Sequence, residues 1–283
     1  MRRPQPLEDA VRAVAAAPRL DAPANKVLSY ANRFLKPGIL KDALSGTPIG
    51  HPAHPLLTDV PIGLWTSAVF LDMFGGRSAR SASRHLVGAG VLAALPTAVT
   101  GLSDLADVED KEQRRIGLVH AAANVTALLV FAASHRRRAN SGGKLLGLLG
   151  LAGVTAGGFL GGHLSYRLGI GVNTNAFENH IDEWTSALPD ADLKDNPRKV
   201  TVKGNEIMLV RRNGRIYALA NRCTHRGGPL NKGRIEGECA VCPWHLSMFA
   251  LEDGEIVRGP ASAPQTAYDT RVSDGTIEVR SPQ

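Results

Sequence analysis

The sequence predicts an α + β protein of two domains, a four-helix transmembrane bundle followed by an antiparallel β-sandwich. Four apolar segments lie between residues 51 and 168, and each is close to the ~20 residues that cross a bilayer. From residue 198 onward the pattern changes to short runs typical of strands. Asn213-Gly214, Asp253-Gly254 and Asp274-Gly275 punctuate these runs, and such dipeptides are typical of hairpin turns.

Composition divides the 283 residues into four parts. Residues 1–50 form a basic, Ala- and Pro-rich tail with short amphipathic helices, which we expect to lie on the membrane surface. Residues 51–168 form the membrane domain, 169–197 a polar linker, and 198–283 the β domain. The net charge is +7, but the basic residues are scattered and lack interleaved aromatic residues, so no nucleic-acid partner is expected.

The apolar segments are predicted membrane spans, and the lipid bilayer is therefore an expected partner. They are Leu56–Phe74, Leu86–Ser103, Ile116–Ser134 and Leu145–Leu164. The alternative is a soluble four-helix bundle, in which each helix would carry a polar stripe. The fourth segment has no such stripe. Its glycines at positions 153, 157 and 161 are typical of closely packed membrane helices.

A metal-binding pattern occupies residues 223–245. A Cys-x-His pair, Cys223 and His225, precedes a Cys-x-x-His pair, Cys242 and His245. Two thiolates and two imidazoles suit a [2Fe–2S] cluster in which the cysteines hold one iron and the histidines the other. Cys2His2 zinc is the alternative. Zinc modules usually separate a cysteine pair from a histidine pair, whereas each half-site here holds one of each.

The stretch resembles the Rieske [2Fe–2S] domains of the ferredoxin type, over roughly residues 180–281. The residues that match lie in the two cluster loops and in a following proline loop: Gly227, Gly228, Pro229, Leu230, Ser247, Phe249, Gly254, Gly259, Pro260, Ala261 and Pro264. One residue departs from the family pattern, because Leu246 stands where glycine is usual. The resemblance implies an antiparallel β-sandwich with both cluster loops at one end.

The resemblance also assigns roles around the cluster. It implies that Ser247 donates a hydrogen bond to cluster sulfur, while Phe249 replaces the tyrosine of high-potential members, so we expect a potential in the lower half of the Rieske range. Gly228 and Trp244 stand where respiratory bc-type subunits carry an additional cysteine pair, which favours the ferredoxin branch. The third cysteine, Cys239, lies in an apolar run and is interpreted as a buried strand residue.

The membrane domain resembles a family of uncharacterised bacterial four-helix membrane domains. The residues that match are His51-Pro52-x-His54-Pro55 and Pro61-Ile62-Gly63-Leu64-Trp65. This resemblance implies architecture and a multi-pass location in a bacterial cell membrane, but it implies no chemistry.

Three histidines suggest a second site in the membrane domain. If the spans alternate, His54, His120 and His163 come to one membrane level, on the side of the β domain. One hypothesis is a site for haem b, a metal or a quinone, facing the cluster and using His120 and His163 first, because helical positions fix ligand geometry. The alternative is that these histidines are hydrogen-bonded boundary residues.

The sequence therefore predicts a membrane-anchored iron–sulfur protein that transfers single electrons, with an unidentified redox partner protein or its own membrane site. Two alternatives stay open: a redox-sensing membrane transporter or channel, and the electron-transfer component of a multi-subunit oxygenase. Residues 246–283 leave no room for the mononuclear iron domain of an oxygenase after His245, and no complete catalytic site is visible. Arg- and Lys-rich connectors on the opposite side predict that the β domain lies on the outer face.

Overall fold

The computed structural model describes residues 6–138 and 141–282, and these form two compact units. One unit is helical and contains the described residues up to Lys36 together with those from Ala53 to Ile170. The other contains Pro37–Pro52 and the residues from Gly171 onward. The fold class predicted from the sequence, a helical bundle followed by an antiparallel β domain, is confirmed.

The described residues contain seven α-helices. They are α1 (Pro6–Ala15), α2 (Asp21–Phe34), α3 (Ile39–Ser45), α4 (Ala53–Phe74), α5 (Arg80–Ala106), α6 (Lys111–Arg136) and α7 (Ser141–Gly162). A π-helical segment, His163–Arg167, continues α7. The helices α4 to α7 are long and apolar enough to cross a membrane. The first three predicted spans lie within α4, α5 and α6, and the fourth runs from α7 into the π-helical segment at Leu164. The short amphipathic helices predicted in the N-terminal tail, Leu7–Ala17 and Val27–Leu35, overlap α1 and α2.

The outer surface of the four long helices is apolar. Leu92 is 69 % exposed and Leu129 65 % exposed, and both lie in the middle of long helices. In water such a surface would be unfavourable, since large exposed apolar patches promote association, whereas acyl chains provide a matching solvent. Inside the bundle, Trp65 stacks on Phe131 with ring centres 4.3 Å apart and an interplanar angle of 8°.

A buried polar network closes one end of this bundle. Arg138 forms an ion pair with Asp72, and Ser83 donates to the same carboxylate at 2.7 Å. Arg138 also donates to the Ser134 hydroxyl at 2.6 Å, and Lys144 donates to the Asp72 carbonyl at 2.7 Å. Because an isolated charge is costly inside a membrane, this pairing accounts for an aspartate within an apolar segment.

The β domain contains ten described strands in two antiparallel sheets. They are β1 (Thr185–Pro189), β2 (Arg198–Val202), β3 (Asn205–Arg212), β4 (Arg215–Ala220), β5 (Arg234–Glu236), β6 (Cys239–Val241), β7 (Met248–Ala250), β8 (Ile256–Arg258), β9 (Ala267–Ser273) and β10 (Thr276–Arg280). One sheet has the order β1-β10-β9-β4-β3-β2, and the other has the order β5-β6-β7-β8.

Two-residue turns set the register of two hairpins. Asn213 and Gly214 join β3 to β4 with φ of 49° and 76°, and Asp274 and Gly275 join β9 to β10 with φ of 48° and 72°. Positive φ at both central residues is the requirement of the hairpin turn that these dipeptides favour. The predicted turns at these two positions are therefore confirmed.

Strand β3 connects the two hydrophobic cores of the domain. Ile207 and Leu209 belong to one core, whereas Met208 and Val210 belong to the other, which also contains Cys223 and Cys242. Successive side chains of a strand point to opposite faces, so β3 is buried on both faces. The cysteines of the metal-binding pattern are thereby anchored in the interior of the domain.

Two elements of the β-domain unit lie outside the predicted β domain 198–283. Strand β1 falls inside the predicted linker 169–197, and it pairs with β10, for example through Thr185 and Val279. Helix α3 falls inside the predicted tail 1–50 and belongs to the same compact unit as the β domain. Both elements depend on partners far away in the chain, and a local pattern does not report such partners.

Candidate metal centre

The first half-site is a six-residue loop that starts at Cys223, shortly after β4. The Cys223 N–H donates to the Gly228 carbonyl at 2.8 Å, and the Gly227 N–H donates to the Cys223 carbonyl at 2.7 Å. These two bonds close the loop around the thiol. Gly227 has φ of 75°, which is the left-handed conformation that glycine adopts without steric cost.

The second half-site, between β6 and β7, repeats the same frame. The Cys242 N–H donates to the Ser247 carbonyl at 2.8 Å, and the Leu246 N–H donates to the Cys242 carbonyl at 3.2 Å. Leu246 occupies the position equivalent to Gly227 and has φ of 63°. The sequence-based observation that Leu246 replaces a usual glycine therefore has a structural consequence, because a leucine here carries backbone strain.

The four side chains form two like pairs. Cys223 and Cys242 are each 1 % exposed, and a hydrogen bond links their sulfur atoms. The rings of His225 and His245 have centres 5.0 Å apart and are perpendicular. Two imidazoles bound to one tetrahedral ion at about 2.0 Å have ring centres roughly 5 Å apart. The residues present therefore fit a cluster with one iron on two thiolates and the other on two imidazoles.

The pairing differs from that of a mononuclear site. Within the described ranges, no group of three or more His, Cys, Asp or Glu is arranged to hold a single ion. A tetrahedral zinc ion would draw all four ligands to one point, whereas a dinuclear cluster keeps the thiolates apart from the imidazoles. The geometry thus favours the cluster over the zinc alternative.

The environment sets the protonation of these groups. The hydrogen bond that the Cys223 thiol makes to Cys242, together with burial, raises the pKa of the Cys223 thiol well above its ordinary value. Burial, followed by the charge of Arg226, lowers the pKa of His225. Neutral histidine is the form that binds metal. The thiols, in contrast, must lose their protons when metal binds, so assembly of the centre releases protons.

The side chain of Gln265 holds the first loop through hydrogen bonds to its backbone. Its side-chain N–H groups donate to the carbonyls of Ala220 at 2.6 Å and Arg222 at 2.7 Å, and its side-chain oxygen accepts the Thr224 N–H at 3.1 Å. Gln265 is 2 % exposed. One buried amide thus satisfies three backbone groups on both sides of Cys223, which rigidifies the ligand.

Ser247 and Arg258 fix the second loop. The Ser247 hydroxyl accepts the Ala261 N–H at 3.0 Å, which leaves its own hydrogen to be donated elsewhere. Arg258 donates to the Leu246 carbonyl at 3.0 and 3.3 Å. Ser247 is fully buried and adjoins the second half-site, so it occupies the position expected of a hydroxyl that donates to cluster sulfur.

The segment Pro37–Pro52 adds contacts that the sequence did not predict. Thr47 donates to the Ala261 carbonyl at 2.8 Å, and Gly259 donates its N–H to Asp42. Burial raises the pKa of that carboxyl group. Lys41 is buried, and its charge lowers the pKa of His225. The segment therefore supports the proline loop, and it places a positive charge near a predicted ligand.

Sequence reasoning missed most of these supporting residues because their contacts span long sequence separations. Thr47 and Ala261 are examples, since they come from opposite ends of the chain. Arg258 and Gln265 flank the proline loop, and that adjacency is the one local signal that could have identified them. Cys239 lies in β6 (Cys239–Val241), as its apolar neighbours predict, but it is partly exposed and not buried as expected.

The structure brings together two of the three membrane-domain histidines. The rings of His54 and His120 have centres 6.4 Å apart and meet at 88°. His163 lies just beyond α7, where its carbonyl accepts the Leu168 N–H at 3.2 Å, and it is not part of this pair. The proposed ranking of His120 with His163 therefore does not match the pairing observed.

Comparison with known proteins agrees with this geometry. Residues 183–270 match the Rieske [2Fe-2S] domain family, and residues 50–174 match a family described as predicted membrane protein, DUF2231. The 3-phenylpropionate/cinnamic acid dioxygenase ferredoxin subunit of Escherichia coli (strain K12) is 31 % identical over 98 residues, which cover 34 % of this chain and 92 % of that protein.

Two further matches each cover about a third of this chain. Apoptosis-inducing factor 3 of Homo sapiens is 29 % identical over 83 residues, which cover 29 % of this chain and 14 % of that protein. Among solved structures, the ferredoxin of carbazole 1,9a-dioxygenase from Nocardioides aromaticivorans IC177 is 29 % identical, with a TM-score of 0.34, and the match covers 36 % of this chain and all of that one. The two half-sites, the two family matches and the similarity to the E. coli ferredoxin subunit show that the chain belongs to the Rieske [2Fe–2S] family and carries a DUF2231 membrane domain ahead of its Rieske domain.

Proposed function

We propose that this protein is a membrane-anchored carrier of single electrons, and that Cys223, Cys242, His225 and His245 hold its [2Fe–2S] cluster. The observation that carries the proposal is the arrangement of two like pairs, buried thiols and adjacent imidazoles. When bound, the cluster supplies a one-electron redox centre. The chain supplies ligands, a hydrogen-bonded enclosure and the route to the surface.

The route to the surface runs through the histidine side of the site. Both cysteines are buried, whereas His225 and His245 are partly exposed. Trp244, 46 % exposed, lies beside His245 with ring centres 6.5 Å apart. An exposed aromatic residue next to a ligand provides a docking contact of the kind that protein interfaces favour. We infer that a redox partner approaches this edge.

The class of partner follows from the relatives. The similar E. coli protein is a ferredoxin subunit of a dioxygenase, and ferredoxins act by passing electrons to a second protein. We therefore propose that the redox partner of this chain is a protein component of an oxidoreductase system. An oxygenase is one candidate for that system. The membrane domain keeps the carrier at the bilayer, where it encounters membrane-bound or lipid-soluble redox partners.

We further propose that the Rieske domain lies on the outer face of a bacterial cell membrane. The connector between α4 and α5 contains Arg77, and α5 begins at Arg80. On the same side by alternation, α6 ends at Arg136 and Arg137 follows. The connector between α5 and α6 contains Asp107, Glu109 and Asp110, and α6 begins at Lys111. Basic residues favour the cytoplasmic side. The connectors with Arg77 and Arg137 are therefore assigned to the cytoplasm, and the Rieske domain, on the other side of the membrane, to the outer face.

The experiment that tests the ligand assignment uses full-length protein purified without oxygen. Cys242→Ser and His245→Ala are expected to abolish the Rieske EPR signal of the reduced protein, and iron should fall well below two atoms per chain. Cys239→Ser is the matched control, because it removes a thiol outside the two pairs and is expected to keep signal and iron. Stoichiometric zinc in the wild-type protein, or a normal signal in Cys242→Ser, would contradict the assignment.

A further inference from the structure

The four long helices form two hairpins, α4–α5 and α6–α7, and the second hairpin repeats the first. Three positions of α4 have equivalents 66 residues later, in α6 or just after it: His54 and His120, Trp65 and Phe131, and Asp72 and Arg138. Three positions of α5 recur in α7 at a separation of 60 residues, from Gly90 to Gly150, from Thr97 to Gly157 and from Gly101 to Gly161.

The contacts within each hairpin repeat as well. His54 Nδ1 lies 3.0 Å from the Thr97 carbonyl oxygen, and His120 Nδ1 lies 2.8 Å from the Gly157 carbonyl oxygen. Each imidazole also lies against the equivalent glycine of the next helix. A Cβ added to Gly101 would be 2.6 Å from His54 Cε1, and one added to Gly161 would be 3.0 Å from His120 Cε1.

Equivalent residues of the two hairpins meet each other across the bundle. His54 meets His120, Trp65 stacks on Phe131, and Asp72 pairs with Arg138. Three such self-pairings define a pseudo-two-fold axis that runs along the helices between the hairpins. Internal repeats of this kind place binding sites at the interface between the repeats.

Two of the three positions on the axis have evident structural roles, since one is an aromatic stack and the other an ion pair. The histidine position has different chemistry. The carbonyl at each Nδ1 accepts an N–H there, so the lone pair of each ring is on Nε2. An imidazole oriented by a hydrogen bond from its other nitrogen is typical of metal ligands. Asn124 Nδ2, 3.4 Å from both ring nitrogens of His120, lies against that ring.

The separation of the rings indicates the type of metal centre. Two imidazoles on opposite sides of one ion, bound at about 2.0 Å, have ring centres roughly 6 Å apart, and the observed separation is 6.4 Å. Two imidazole nitrogens alone do not satisfy an isolated ion, which takes about four ligands. They do satisfy an iron whose other four ligands come from a porphyrin.

We propose that His54 and His120 are the two axial ligands of a haem iron on the pseudo-two-fold axis of the membrane domain. This inference deepens the proposed function, because such a haem would be a one-electron partner for the cluster in the same chain. It also replaces the pair ranked first from the sequence, since it assigns no ligand role to His163. Its evidence is independent of the Rieske ligands.

The test uses full-length protein purified in detergent from cells supplied with a haem precursor. A pyridine haemochrome assay is expected to give one haem b per chain, with the absorption spectrum of six-coordinate low-spin iron. His54→Gln and His120→Gln keep an N–H donor for the facing carbonyl but remove the imidazole. Each is expected to lower bound haem at least tenfold while the Rieske EPR signal stays unchanged.

The matched control is His135→Gln. His135 Nδ1 also lies near a carbonyl of the neighbouring helix, that of Arg84 at 3.1 Å, but its equivalent in the other hairpin is Val69, so no second imidazole faces it. This variant and His163→Gln are expected to keep haem. Gly161→Ala retains both imidazoles but displaces His120, and it is expected to shift the haem spectrum.

Three outcomes would overturn the proposal. The first is wild-type protein with an intact Rieske signal and no haem. The second is metal analysis showing zinc or copper in the membrane domain in place of haem. The third is haem that persists in His54→Gln but is lost in His163→Gln. The Rieske signal is recorded for every sample, so failure of the haem site is distinguishable from failure of the electron-carrier function.

Discussion

Leu246 is the one residue of the two cluster loops that has a positive φ without being glycine. It has φ of 63° in a loop whose hydrogen-bond frame is the same as that around Gly227, with φ of 75°. For an L-residue the left-handed conformation costs roughly 1–2 kcal/mol. Since Arg258 holds the Leu246 carbonyl and the N–H bonds back to Cys242, the loop cannot relax out of this conformation.

The perturbation is a matched pair of substitutions, Leu246→Gly and Leu246→Ala. Both remove a half-buried side chain, at a cost of about 1 kcal/mol, which is half the value for a fully buried leucine. Only glycine also relieves the backbone strain. We therefore expect Leu246→Gly to be within about 1 kcal/mol of the wild-type stability and Leu246→Ala to be roughly 1 kcal/mol less stable than Leu246→Gly.

Whether the alanine or the glycine variant is the more stable shows whether residue 246 has a left-handed backbone. At an ordinary negative φ, alanine is more stable than glycine by roughly 0.4–1 kcal/mol, because glycine has more freedom in the unfolded chain. The assay is the midpoint of thermal loss of cluster absorption in full-length protein, where about 1 kcal/mol corresponds to a shift of several degrees. Gly227→Ala provides the mirror experiment, and we expect it to lower the midpoint.

If Leu246→Ala is as stable as Leu246→Gly or more stable, residue 246 carries no left-handed backbone strain. In that case the second loop would not hold a left-handed residue, and the shared frame of the two half-sites would be wrong.

Two further predictions concern the potential of the cluster and the sidedness of the protein. Ser247→Ala removes the buried hydroxyl that Ala261 orients. A hydrogen bond to a charged group contributes about 1.5–3 kcal/mol, which is roughly 60–130 mV for one electron, so we expect redox titration to show a fall in the cluster potential of that order. An unchanged potential would exclude the hydroxyl as a donor to the cluster. In a Cys239→Ser background, Glu112→Cys in the first turn of α6 should react with a membrane-impermeant thiol reagent in intact cells and Ser81→Cys near the start of α5 should not, whereas the reverse pattern would place the Rieske domain in the cytoplasm.

The sequence by itself determined the features that depend on local chemistry. The span of a helix follows from a run of about twenty apolar residues, and the hairpins at Asn213 and Asp274 follow from dipeptides that tolerate positive φ. The candidate ligands of the cluster followed from residue type and spacing, together with the resemblance to Rieske domains. For the helices and the turns, neighbouring residues contain the whole physical cause, whereas the two halves of the cluster site are separated in the sequence and were linked by the resemblance.

Contacts between residues that are far apart in the sequence became visible in the tertiary structure alone. Strand β1 exists because it pairs with β10, and Thr47 supports the proline loop across most of the length of the chain. Likewise, the sequence placed His54, His120 and His163 at one level and ranked His120 with His163, whereas the structure pairs His54 with His120. The choice depends on the rotation of each helix about its axis, and that rotation is set by the packing of imidazoles against Gly101 and Gly161.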